Sequence, residues 1–196
     1  QPSINEVQYH NGFPLFSFLE LNLNEICNRK CPFCPRSDPK TYPQRNVHMD
    51  ISIPTIIADQ LIDLDFNGII NISGTGEPTL TPHIADIVKV FGDRGIHVEI
   101  VTNGDIIKNK RKGPALIEKL YNAGLKQFVV SMYDGPHQIE SFNNLFASCG
   151  IDKSLYSLRD RWYDASEDYG LLYTNRAGNI GFEFLSDTAK DKLIKS

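Results

Sequence analysis

The chain has 196 residues, of which 41% are hydrophobic and 22% are charged. These proportions are ordinary for a folded domain and exclude a disordered or fibrous chain. Its 20 basic and 24 acidic side chains give a net charge of −4, so the composition lacks the basic excess typical of nucleic-acid-binding proteins. No apolar run approaches the ~20 residues that a membrane-spanning helix needs. Residues 1–10 also lack the charged leader and apolar stretch of a signal peptide.

Strands and helices are predicted to alternate along the chain. An alternating apolar stretch at residues 16–23 predicts a first strand that leads directly into a cysteine-rich loop. Residues 49–66 carry an apolar stripe at helical spacing, and Pro54 is suited to a first turn. The β-branched run 69–72 predicts the second strand, and a glycine-containing segment at 74–78 ends it.

The same strand and helix unit is predicted to recur after Thr81 and Pro82, which are suited to a helix start. The next helix presents Ile84, Ile87, Val88 and Phe91 on one face. The elements that follow are a strand at 98–101, a helix at 114–123, a strand at 128–131, a helix carrying Ile139, Phe142 and Phe146, and a strand at 155–159.

Successive strands from the second onward begin about 28–30 residues apart, which is the spacing of parallel strands joined by crossover helices. The sequence therefore predicts an α/β fold with about five βα units. Such units form either an open doubly wound sheet or a barrel. In both architectures ligands bind at the carboxyl ends of the strands. Polar and glycine-rich segments follow each of the first four predicted strands, so we expect them to form one site.

Four cysteines are present, and three of them lie close together. Cys27, Cys31 and Cys34 have the spacing C-x3-C-x2-C, whereas Cys149 is far away and is expected to be a small buried hydrophobic residue. A disulfide framework prefers an even number of dispersed cysteines. Three thiolates on one loop favour a metal or cluster site and a reducing compartment. Three ligands would leave one iron of a cubane cluster open to a substrate or cofactor.

This motif resembles that of the radical S-adenosylmethionine (radical SAM) superfamily, and Phe33 occupies its aromatic position. The resemblance implies a partial (βα)6-type parallel barrel. It also implies that Cys27, Cys31 and Cys34 bind a 4Fe–4S cluster whose fourth iron is chelated by S-adenosyl-L-methionine. Reductive cleavage of that cofactor would generate a 5′-deoxyadenosyl radical that abstracts hydrogen from a substrate, so the chemistry belongs to the cofactor and the protein positions it.

The resemblance also implies a set of cofactor-binding residues at the strand ends. The segment Gly74-Thr75-Gly76-Glu77 is similar to the family's glycine-glycine-glutamate segment, with Glu77 offering acceptors to an ammonium group. The remaining candidates for contact with the cofactor are Asn103 in Thr102-Asn103-Gly104, Ser131 on the fourth strand and Arg159 on the fifth.

The pattern weakens toward the end of the chain. We expect residues 1–163 to form the barrel and residues 164–196 to form its end or the start of an extension. Residues 169–178 are similar to the end of the barrel in members that continue into a SPASM-type domain, but no cysteine follows Cys149. Either the chain stops before such a domain or the protein works without one. A sixth strand is expected at 181–185 or outside this chain.

Alternative interpretations compete at several positions. The three cysteines could hold structural zinc with His10 or His48 as a fourth ligand, in a non-catalytic module. A cluster that only carries electrons would also need a fourth ligand. Lys30 and Arg36, beside the cysteines, are expected to be exposed charges.

The resemblance favours a cytoplasmic radical SAM enzyme that acts on a peptide or protein. A sugar or another small molecule is the alternative substrate. A flavodoxin or ferredoxin is the expected reductase, and neither nucleic acid nor a membrane is an expected partner.

Overall fold

The computed structural model describes residues 7–31, 34–40 and 42–161. Its centre is a five-stranded sheet in which every neighbouring pair is parallel. The strands are β3 (Phe18–Leu21), β6 (Ile69–Ile72), β7 (His97–Thr102), β8 (Gln127–Met132) and β9 (Tyr156–Asp160), and they lie in that order across the sheet. The order follows the chain with no reversal, as in the wall of a barrel, whereas a doubly wound sheet reverses direction at a switch point. The predicted α/β fold and partial barrel are therefore confirmed.

Four helices connect these strands. They are α1 (Ser52–Asp63), α2 (Ile84–Gly92), α3 (Gly113–Asn122) and α4 (His137–Ser148). Helix α1 packs against α2, and α2 packs against α3. Each helix lies between two parallel strands, which is the crossover arrangement that the strand spacing predicts.

The core lies between the sheet and the helices. The predicted apolar face of α2 is fully buried, because Ile84, Ile87, Val88 and Phe91 are at most 2% exposed. In α4, Phe142 and Phe146 are likewise buried, whereas Ile139 is 42% exposed. The buried face of α4 therefore includes the two phenylalanines but not Ile139.

Two short antiparallel pairs lie outside the main sheet and were not predicted. Strand β1 (Tyr9–His10) pairs with β2 (Phe13–Pro14). Strand β4 (Asn24–Glu25) pairs with β5 (Arg45–His48) and so joins the two ends of the cysteine loop. The loop is thus closed at its base by backbone pairing.

Two further predictions about the described residues can be assessed. Cys149 is half-buried and packs against the core as a small hydrophobic residue. No helix in the described ranges is long and apolar enough to cross a membrane. The possible strand at 181–185 and the proposed boundary at 163–164 lie outside the described residues.

Candidate cluster and cofactor site

The predicted site residues lie at the carboxyl ends of the parallel strands. The cysteine loop follows β3 and β4, the segment 74–77 follows β6, and Asn103 follows β7. Ser131 lies one residue before the end of β8 and is paired in register with Arg159 of β9. The topology therefore brings five separate segments to one edge of the sheet, where ligands bind in parallel α/β folds.

The three cysteines of the loop are half-buried and form no disulfide with any cysteine that the structure describes. The backbone N–H of Arg29 donates to Cys27 Sγ at 3.4 Å, and Asn103 Nδ2 donates to the same sulfur at 3.8 Å. Burial raises the pKa of the Cys27 thiol, and the Arg29 hydrogen bond and the charge of Arg36 oppose that rise. Cys34 N donates to Cys31 O at 2.9 Å, so a backbone hydrogen bond joins these two cysteines. Phe33 lies outside the described residues.

This donor set fits an iron–sulfur cluster. Thiolates are the ligands such clusters use, and donors directed at a sulfur atom are among the groups that stabilise and tune them. Within residues 7–31, 34–40 and 42–161, no three His, Cys, Asp or Glu side chains are arranged to hold a single metal ion. A cluster requires a wider arrangement because each thiolate binds its own iron.

The glycine segment lies against the end of β3. Gly74 has φ of +103°, and a Cβ there would lie 2.7 Å from Cγ of Asn22. A Cβ on Gly76 would collide with the side-chain and backbone oxygens of Asn24. Asn22 Oδ1 accepts from Gly76 N at 3.3 Å, and Asn24 Nδ2 donates to Glu77 O at 2.8 Å. The absence of side chains at Gly74 and Gly76 therefore allows the segment to approach Asn22, which directly follows β3, and Asn24 of β4.

Replacing Gly76 with alanine is expected to destabilise the protein by about 2–4 kcal/mol, because the new Cβ would overlap backbone that has no free space. Gly150 provides the matched control, since no atom lies within 4 Å of the position that a Cβ would take there and only its φ of +69° opposes a side chain. Gly150→Ala should therefore cost about 1 kcal/mol. Urea unfolding of both variants measures the difference, and equal losses would contradict the close approach at Gly76.

The carboxylate of Glu77 is buried and accepts four hydrogen bonds. Its Oε1 accepts from Thr79 N at 3.1 Å, Thr79 Oγ1 at 2.6 Å and Thr102 Oγ1 at 2.6 Å. Its Oε2 accepts from Asn103 N at 2.8 Å. Burial raises the pKa of Glu77, and the four donors oppose that rise. The side chain thus links the glycine segment to the loop after β7.

The other candidates at the strand ends differ in how much of their side chains is exposed. Asn103 is buried, and its Nδ2 donates to Asn28 Oδ1 at 2.9 Å, so it contacts the cysteine loop directly. Ser131 is also buried, whereas Arg159 is exposed beside it. The edge therefore carries buried hydrogen-bonding groups and an accessible cation.

Arg29, which lies between Cys27 and Cys31, fixes the cysteine loop to two other loops. Its guanidinium binds Asp105 through Nε and Nη2, both at 2.6 Å, and Asp134 through Nη1 and Nη2, both at 2.7 Å. Lys108 contacts both carboxylates at 3.2 Å, and the Arg29 guanidinium lies 5.3 Å from the ring centre of Tyr133. We call Arg29, Asp105, Asp134 and Lys108 the ionic clasp. Two bidentate pairs on one guanidinium make a strongly directional contact.

The clasp should make the protein's stability sensitive to acid. The hydrogen bonds from Arg29 hold the pKa of Asp134 well below its usual range. Burial would raise the pKa of Asp105, but hydrogen bonds from Arg29 and Lys108 outweigh it, so this pKa is also lowered. A lowered carboxylate pKa contributes stability that is present above about pH 4 and is lost as the pH falls through the folded-state value.

We therefore expect the stability of the wild type to fall more steeply below about pH 4 than that of Asp134→Asn. Salt should weaken the difference, because Asp134 is 42% exposed in its side chain. Asp93→Asn is the control, since Asp93 forms an exposed i,i+4 pair with Lys89. Unfolding free energies measured between about pH 2 and 7 test this, and parallel curves for wild type and Asp134→Asn would refute it.

Sequence reasoning missed several of these residues and misjudged one. Asn22 and Asn24 alternate with leucines at the end of the first strand, and this alternation is the signal that could have found them. Asp105 and Asp134 each follow a predicted strand end, but nothing local links them to Arg29. Lys30 is exposed as expected. The expectation that Arg36 is an exposed charge is wrong, because it is 4% exposed and donates to backbone carbonyls.

Residues 21–147 match the family described as the Radical SAM superfamily. The S-adenosyl-L-methionine-dependent 2-deoxy-scyllo-inosamine dehydrogenase of Niallia circulans is 30% identical over 167 residues, which are 84% of this chain and 60% of that protein. The GTP 3′,8-cyclase of a Nostoc species is 25% identical over 166 residues, which are 82% of this chain and 44% of that protein.

A solved structure, BtrN in complex with AdoMet and 2-DOIA, has a similar fold. It superposes with a TM-score of 0.66 at 28% identity, covering 85% of this chain and 64% of BtrN. The chain thus spans less than two thirds of the length of each of these relatives. The family match covers most of the described residues, and it includes the cysteine loop, the glycine segment, Asn103 and Ser131. The chain therefore belongs to the radical SAM superfamily, whose members use a 4Fe–4S cluster and S-adenosyl-L-methionine.

Proposed function

We propose that this protein is a radical SAM enzyme that oxidises or rearranges a small polar molecule. The observation that carries the proposal is the C-x3-C-x2-C loop at the carboxyl edge of a parallel sheet, where Cys27 Sγ accepts hydrogen bonds from two protein donors. Cys27, Cys31 and Cys34 would bind three irons of a 4Fe–4S cluster. When bound, the cluster and S-adenosyl-L-methionine supply a 5′-deoxyadenosyl radical that abstracts a hydrogen atom from the substrate.

The protein's own residues would bind and orient the cofactor. The candidate groups at the same edge of the sheet are the backbone of Gly74 and Gly76, the side chains of Asn103 and Ser131, and the cation of Arg159. Glu77 already accepts four hydrogen bonds from the protein, so we propose that it acts by positioning the glycine segment and Asn103. The aromatic position at Phe33 remains part of the proposal from the motif alone.

The choice of substrate class is supported by the relatives. The dehydrogenase at 30% identity is named for 2-deoxy-scyllo-inosamine, and the cyclase at 25% is named for GTP. Both compounds are small molecules, which favours the small-molecule alternative. The peptide or protein substrate was expected because residues 169–178 resemble SPASM-type members. We propose a flavodoxin or ferredoxin as the electron donor and the cytoplasm as the compartment, because free thiols and low-potential clusters persist in reducing conditions.

The test is anaerobic reconstitution of iron and sulfide, reduction, and electron paramagnetic resonance with and without S-adenosyl-L-methionine. A 4Fe–4S signal that changes when the cofactor is added, with 5′-deoxyadenosine formed, would support the proposal. Faster 5′-deoxyadenosine formation with 2-deoxy-scyllo-inosamine than with a short peptide mixture would support the substrate class. A protein that retains zinc, or a cluster that does not respond to the cofactor, would overturn the enzymatic function.

A further inference from the structure

Arg36 is a buried cation in the short 3-10 turn Pro35–Ser37 that directly follows Cys34. Its Nε donates to Thr75 O at 2.5 Å, and its Nη1 donates to Glu25 O at 2.6 Å and to Pro43 O at 3.4 Å. Among the residues that the structure describes, no carboxylate forms a salt bridge with it. A buried charge is costly unless its donors are satisfied. The three carbonyls that accept from Arg36 therefore offset part of the cost of burying it.

The three carbonyls belong to three different segments. Glu25 lies in β4 just before the cysteine loop, Pro43 lies just before β5, and Thr75 lies within the glycine segment. The planar guanidinium donates in several fixed directions at once, which the single ammonium of a lysine does not reproduce. Arg36 therefore connects the far end of the cysteine loop both to its own base and to the glycine segment.

We propose that Arg36 is a positioning residue that fixes the glycine segment relative to the cysteine loop, and thereby the place of the cofactor's amino-acid end relative to the cluster. This inference rests on the proposed function, because it assigns the two segments to the cofactor and to the cluster. Arg29 and Arg36 then have separate tasks. The ionic clasp of Arg29 joins the cysteine loop to the loops after β7 and β8, and Arg36 joins it to the segment after β6.

The loaded protein gives one test. Arg36→Met should retain cluster iron within about twofold of the wild type, because all three thiols remain, but should need about tenfold more S-adenosyl-L-methionine to change the resonance signal. Arg36→Lys should recover part of that loss. Arg45→Met is the matched control, since Arg45 lies in β5 at the base of the same loop and forms an exposed pair with the side chain of Glu25. An unchanged titration midpoint in Arg36→Met would overturn the proposal.

The protein without cluster gives a second test that does not depend on catalysis. Amide hydrogen exchange of residues 74–77 and 25–27 should be about tenfold faster in Arg36→Lys than in the wild type, while exchange in α2 stays the same. Unchanged exchange in residues 74–77 would overturn the proposal even if Arg36→Met failed to fold. A wild-type cluster that ignores the cofactor would instead contradict the proposed function, and the exchange result would still report whether Arg36 holds the two segments together.

Discussion

Replacing Cys27 with alanine is expected to reduce cluster iron at least about tenfold after anaerobic reconstitution, and to abolish 5′-deoxyadenosine formation. The reason is that the loop offers three thiols to the cluster, and Cys27 is the one whose sulfur receives donors from both Arg29 N and Asn103 Nδ2. Iron and sulfide analysis, together with absorbance near the thiolate charge-transfer bands, measures the loss.

Cys149→Ala is the matched control for the loss of a thiol. Cys149 is also free and half-buried, but it follows α4 and packs against the core. Its replacement should leave iron content and cofactor cleavage unchanged and cost only the packing of one sulfur atom. Retention of iron by Cys27→Ala would contradict the assignment of the loop. Stoichiometric zinc in the wild type, lost in Cys27→Ala, would favour the structural zinc alternative.

The main elements could be predicted because each has a local signal. Strand β6 (Ile69–Ile72) was predicted with its observed bounds, since a β-branched run lies between two glycines. Helix α2 was predicted from four apolar residues at helical spacing, all of which are buried. The regular spacing of strands then indicated parallel crossovers, and the strand order confirmed a barrel wall.

The contacts within the site could not be predicted in the same way because they join residues far apart in sequence. Arg29 and Asp134 are separated by 105 positions, and Arg36 and Thr75 by 39. A charged side chain next to a cysteine motif gives no local sign of whether it reaches into solvent or inward. The two-residue strands β1, β2 and β4 are likewise too short to leave a periodic pattern.

The family resemblance predicts Glu77 as an acceptor for an ammonium group. In the structure its carboxylate accepts four hydrogen bonds from the protein itself. Both oxygens are already occupied by protein donors, two of them backbone N–H groups that lie on opposite oxygens. Glu77→Ala would leave four donors unpaired in a buried position. We expect a loss of about 3–5 kcal/mol in the free energy of unfolding, since each unpaired buried donor costs roughly 1–3 kcal/mol and the threonine hydroxyls can rotate to other acceptors.

Glu77→Gln separates hydrogen bonding from volume. In one orientation the amide oxygen accepts from Thr79 N, and the NH2 group then faces Asn103 N, to which it cannot bond. In the other orientation the amide oxygen accepts from Asn103 N, and the NH2 group faces Thr79 N. One backbone N–H is therefore unpaired in either orientation, while removal of a buried charge recovers part of the cost. The expected loss is about 1–2 kcal/mol, smaller than for alanine.

Urea unfolding of the protein without cluster measures both variants, and Glu118→Ala on the exposed face of α3 is the control. Alanine, glutamine and wild type should rank in that order of increasing stability. If all three unfold alike, the carboxylate does not carry the link between the glycine segment and the loop after β7. Glu77 would then be free to contact a ligand directly, and the positioning role proposed for it would be wrong. The predicted ranking instead implies that the protein builds this part of the site before any cofactor binds, because the four donors come from the chain itself.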